Sequence, residues 1–134
     1  MRALALGSDL VAQTLSNFHV ELHEYPSGSG NLSDFPIRIW VLPLEGKQAI
    51  EISVGPSGDS IQMHFGNPEP VDMGEFGRTL ILPQFSDAND CEQSILDWRI
   101  EPSDEGQKLI LALSSGSALT LACHGDDELR PMIS

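Results

Sequence analysis

Apolar and polar residues alternate in short stretches along this chain, and glycine, proline, serine and asparagine separate the stretches. A period of two is the mark of strands with one buried face, so the pattern predicts an antiparallel β fold. In the first stretch Phe18, Val20 and Leu22 alternate with His19, Glu21 and His23. In the second, residues 36–44, Ile37, Ile39 and Val41 face one way and Arg38, Trp40 and Leu42 the other. Pro43 ends that run or sets it at a sheet edge, because proline donates no ladder hydrogen bond.

Two hairpins stand out. Residues 49–54 and 60–65 flank the turn Gly55-Pro56-Ser57-Gly58-Asp59, with Ile50, Ile52 and Val54 opposite Ile61, Met63 and Phe65. Residues 108–113 and 118–123 flank Ser114-Ser115-Gly116-Ser117, with Leu109, Leu111 and Leu113 facing Leu119, Leu121 and Cys123. A short strand is expected over 79–82. Residues 66–77 carry Pro68, Pro70, Gly74 and three acids, and read as a surface excursion of a length that compact domains keep for function.

Helical signals are few. Ser8 and Asp9 are placed to cap a turn or two reaching Thr14. Ser86 and Asp87 are placed to cap a helix over 86–93, with Ala88, Cys91 and Ile95 at helical spacing. A strand follows in which Leu96, Trp98 and Ile100 alternate with Asp97, Arg99 and Glu101, and the acidic tail from Gly125 reads as loose. The expected fold is one mainly β domain over residues 1–134: an antiparallel sandwich or partly open barrel with one or two short helices. An α+β arrangement, a sheet packed on a helix, is the alternative. Periodicity leaves the strand order open.

Charge changes the picture more than size does. The 134 residues carry 20 acidic and 7 basic side chains, a formal net charge of −13. A field of that sign repels nucleic-acid phosphate and anionic membranes, so the expected partner is a basic protein; the same charge also serves solubility. Cys91 and Cys123 are the two cysteines, too few for a secreted disulfide scaffold of this size. No apolar stretch has the length of a signal peptide core or a membrane span. A reducing cytoplasm is the expected compartment.

Familiar catalytic spacings do not occur. Gly46-Lys47 is followed by Gln48 and lacks the phosphate-loop pattern. The loop Pro26 to Gly30 has Pro26 where a nucleophile elbow needs glycine, and two distant cysteines do not make a zinc finger. Asp87-x-Asn89-x-Cys91 lacks the third ligand and the glycine of a calcium loop. His19-x-Glu21-x-His23 is the best metal candidate, since on a strand the three share a face. The two histidines would nevertheless lie about 13 Å apart by strand rise, so a solvated polar face is the plainer reading. His64 is expected to be exposed, and neither it nor His124 has a nucleophile assignable to it. The expectation is a non-catalytic protein without a cofactor.

The acids are dense between residues 86 and 105, where Asp87, Asp90, Glu92, Asp97, Glu101, Asp104 and Glu105 are answered by Arg99 alone. With Asp126, Asp127 and Glu128 they form the expected partner-binding set. Here the chain resembles the small cytoplasmic immunity proteins of bacterial polymorphic-toxin and contact-dependent systems. The resemblance lies in Asp9-Leu10-Val11-Ala12-Gln13-Thr14-Leu15 leading into the first strand, and in the hairpin Leu109 to Cys123 running into Gly125-Asp126-Asp127-Glu128. It implies a protein that neutralises one cognate toxin inside the producing cell, and it transfers no site residues. A phage-type inhibitor that mimics nucleic acid meets the same electrostatic conditions. A small metal- or ligand-binding β-barrel enzyme, with the His19 face or the 66–77 loop lining its pocket, is the contrasting reading.

Overall fold

The computed structural model describes residues 11, 14–25, 32–33, 35–42, 48–83, 93–125 and 128–133. Among the described residues nine strands run in chain order: β1 Phe18–Glu24, β2 Arg38–Val41, β3 Ala49–Val54, β4 Ile61–Gly66, β5 Arg78–Pro83, β6 Ile95–Ser103, β7 Gly106–Leu113, β8 Ala118–Cys123 and β9 Leu129–Ile133. They form two antiparallel sheets, one of five strands in the order β4-β3-β2-β1-β5 and one of four in the order β6-β7-β8-β9. The helical segments among the described residues are two 3-10 turns, Leu15–Asn17 and Gly74–Phe76. The protein is mainly β, an open two-sheet sandwich rather than a closed barrel.

The alternation read from the sequence explains the core. Phe18 and Val20 on β1, Ile39 and Val41 on β2, and Ile50 and Ile52 on β3 turn to one side of the larger sheet. They meet Leu109, Leu111, Leu113, Leu119, Leu121 and Cys123 from the smaller one in a single buried cluster. Burying both inner faces against each other is how two half-apolar sheets leave water.

Three expectations need correction. The tail does not hang loose: Leu129–Ile133 adds β9 to the edge of the smaller sheet, and Leu129 is fully buried opposite Cys123. Leu129, directly after the acidic run, turns its side chain into the core and anchors the strand. On β6 the register shifts between Ile95 and Asp97, leaving Leu96 as an extra residue. That bulge turns Ile95 into the core and leaves Leu96 59% exposed, the reverse of what plain alternation assigns. Phe65, expected as a core partner of Ile50, sits across from it at the end of edge strand β4 and is 46% exposed. The helices expected over 8–14 and 86–93 fall almost entirely outside the described residues. No helix among the described residues is long and apolar enough to cross a membrane.

Topology gives residues 66–77 their task. β4 and β5 lie at opposite edges of the larger sheet, so the connection between them must pass three intervening strands, about 19 Å at the usual strand spacing. It does so across the outer face, where Asn67, Glu69 and Val71 line a shallow cavity with Glu21, Arg38, Trp40 and Glu51 beneath. Beyond the crossing the chain folds back on β5. Thr79 N–H donates to Val71 O at 2.8 Å, and Met73 N–H to Gly77 O at 2.8 Å.

Candidate functional site

His19, Glu21 and His23 do share the outer face of β1, but that face is not the solvated surface expected. Glu21 is 1% exposed. The crossing segment roofs it over, and two neighbours on β2 satisfy it: Trp40 Nε1–H donates to Oε1 at 2.8 Å, and Arg38 Nη1 to Oε2 at 3.1 Å. Arg38 also reaches Glu51 Oε1 at 3.4 Å. His23 Nε2 lies 2.7 Å from the carbonyl oxygen of Phe76, which accepts only, so Nε2 is the donor and the ring tethers the crossing segment. These partners commit Glu21 and His23 to holding the sheet and the crossing segment together. Among the described residues no three His, Cys, Asp or Glu side chains are grouped to hold a metal.

The acidic residues expected to bind a partner separate into two kinds. Asp97 and Glu101 lie along β6 and have local duties. Asp97 Oδ1 accepts the backbone N–H of Trp98 at 2.8 Å, and Glu101 pairs with Arg99. Together with the bulge at Leu96 and with Pro102, the Asp97 bond breaks up the open edge of β6, which guards a long outer strand against pairing with another chain. Asp104 and Glu105 instead stand exposed at the β6–β7 turn. Asp87, Asp90, Glu92, Asp126 and Asp127 lie outside the described residues.

At the β6–β7 turn the fold gathers acids that the sequence holds far apart. The β3–β4 turn of the larger sheet abuts the β6–β7 and β8–β9 turns of the smaller one. Gly125 N–H donates to Gly58 O at 3.0 Å, Ile61 N–H to Gln107 Oε1 at 2.9 Å, and Leu129 N–H to Pro36 O at 2.8 Å. Gly106 sits against the Asp59 backbone with no room for a side chain. Asp59, Asp104, Glu105 and Glu128 therefore share one end of the sandwich, with His124 Nδ1 2.9 Å from Glu105 Oε2 among them. Asp97 lies six positions before Ser103, the last residue of β6, and so about 20 Å from this end by strand rise.

Lys108, two residues along β7 from Gly106, and Arg130, whose guanidinium lies over the Phe35 ring, lie near this end, while three other arginines are paired with carboxylates outside the group. Arg38 is held by Glu21 and Glu51, Arg78 by Glu24 at 2.6 Å, and Arg99 by Glu101. Among the described residues Asp59 and Asp104 contact no basic side chain. Exposed carboxylates grouped in this way raise the local negative potential, which attracts and orients a cationic surface. Asp59 escaped the sequence reading. Its position in a hairpin turn was visible, but which turns share an end depends on how the sheets stack. His64, exposed as expected, lies on the outer face of β4 with Nε2 3.4 Å from Gln62 Oε1.

Compared with known proteins, the chain matches no protein family, no curated protein and no solved structure.

Proposed function

We propose that this chain is an acidic, non-catalytic binding protein that inhibits a basic partner protein, as an immunity protein neutralises its cognate toxin. The observation that carries the reading is the meeting of three turns from two sheets, which sets Asp59, Asp104, Glu105 and Glu128 at one end while Arg38, Arg78 and Arg99 pair with other carboxylates. A surface built this way speeds encounter with a cationic partner and disfavours acidic ones. It also competes for a partner site that evolved to hold phosphate or another anion.

The test is capture from the source cells by the tagged chain, at low salt and again at about 0.5 M, where the screening length shortens to a few ångströms. Basic proteins should be retained at low salt and released at high salt, and a retained protein should lose its activity when the chain is added back. Asp59→Asn, Asp104→Asn and Glu105→Gln combined should weaken that complex about 10–100-fold at low salt and flatten its salt dependence. Asp97→Asn should change affinity by less than about twofold, because its amide oxygen still accepts the Trp98 N–H and its charge lies beyond the screened range. Retention of no basic protein at low salt would defeat the proposal.

A further inference from the structure

The turn formed by residues 71–78 carries a second feature at the end of β1. Tyr25, Val71 and Phe76 are 44%, 44% and 67% exposed, a concentration of large apolar side chains on a short length of surface. Tyr25, Val71 and Leu80 wall an open cleft with Glu24 and Asp72 on its rim. Asp72 and Glu75 are exposed, and the one cation of the turn, Arg78, is paired with Glu24. Among the described residues Asp72 has a single partner, the backbone N–H of Gly74 at 2.8 Å.

The Tyr25 ring and the backbone of the turn have defined partners. The Tyr25 and His23 rings lie 4.4 Å apart, and His23 Nε2 donates to Phe76 O. Gly77, at φ +100°, lies so close to Glu24 that a Cβ would collide with its carbonyl oxygen. Aromatic side chains fixed before contact lose little freedom on binding, which is the property of residues that dominate interfaces.

We infer that this cleft docks a segment of the partner that presents an apolar side chain flanked by lysine or arginine. The apolar side chain enters between Tyr25, Val71 and Leu80, and the exposed Phe76 of the adjoining turn adds apolar surface beside them. The neighbouring cations reach Asp72 and Glu75, so the same site reads both properties. The inference rests on the reading of a basic partner and adds to it an apolar anchor point separate from Asp59, Asp104 and Glu105.

Two synthetic peptides of equal charge, oligolysine and an amphipathic lysine–leucine peptide, test it by titration of the full chain at low salt. The lysine–leucine peptide should bind at least about tenfold more tightly, the value of one partly buried side chain, and should shift the ring resonances of Tyr25 and Phe76. Tyr25→Ser combined with Phe76→Ser should bring the ratio of the two affinities near one and leave oligolysine binding unchanged; both positions are exposed, and an unaltered melting temperature confirms the fold. Asp72→Asn keeps the acceptor for Gly74 N–H and should weaken both peptides. Equal affinities in the unaltered chain, or a preference that survives the serine variants, would overturn the cleft while the acidic end stands. Failure of both peptides to bind would remove the electrostatic reading itself.

Discussion

Gly106→Ala is expected to lower the thermal midpoint by roughly 10–15 °C, the equivalent of about 3–4 kcal/mol in a chain of this size. Gly106 has φ +137°, a conformation that side-chain-bearing residues rarely adopt. A Cβ there would also overlap the carbonyl oxygen of Asp59 and come within 2.7 Å of its Cα. Both obstacles are backbone, so no rotamer change relieves them, and the β3–β4 turn must move away from the smaller sheet. Gly116→Ala is the matching control. Gly116 has φ +93° with nothing within 4 Å of the added carbon, so only the conformational cost of about 1–2 kcal/mol applies. Calorimetry on the two variants isolates the contact between the sheets. Equal losses would mean that the joint at the acidic end adds nothing to stability. Hydrogen exchange at Gly125, whose N–H bonds Gly58, should quicken in Gly106→Ala and stay unchanged in Gly116→Ala.

Removing the carboxylate with Glu21→Ala should cost about 2–3 kcal/mol in denaturant unfolding. It strands the indole N–H of Trp40, a residue only 5% exposed, and leaves Arg38 without its inner partner. The loss falls below that of a fully buried pair because the Arg38 side chain is 34% exposed and retains Glu51. Glu21→Gln should cost no more than about half as much, since the amide oxygen still accepts from Trp40. A glutamine variant as unstable as the alanine one would shift the weight from the indole bond to the charge pair. An alanine variant as stable as the unaltered chain would rule out any structural part for the buried network. The melting of Glu21→Ala should also loosen residues 67–77, because the crossing segment lies directly over this carboxylate.

Much of the secondary structure was legible in the sequence. The alternation of β1 and the two hairpins β3–β4 and β7–β8 appear where Phe18, Ile50 and Leu109 and their period-two neighbours place them. Such patterns are local: a residue's face follows from its parity along the strand, and a tight turn brings neighbouring strands together. The same parity argument failed at Leu96, where one extra residue reverses the faces without altering composition. It undervalued the end of the chain too, where Leu129 docks β9 behind a run of acids.

The candidate site was legible only in part. Asp104, Glu105 and Glu128 could be named from charge density alone, yet Asp97 and Glu101 belong to the same dense stretch and serve β6 instead. Local composition counts charges; it does not say which backbone N–H or guanidinium already engages them. Strand parity, turn positions and a net charge of −13 are properties of neighbouring residues, and the chain carries them however it folds. The pairing of β1 with β5 and the passage of residues 67–77 over Glu21 join segments distant in the chain. So does the meeting of Asp59 with Asp104, Glu105 and Glu128. Those arrangements arise because two apolar faces must cover each other completely, and that requirement selects one strand order among many that the same alternation permits.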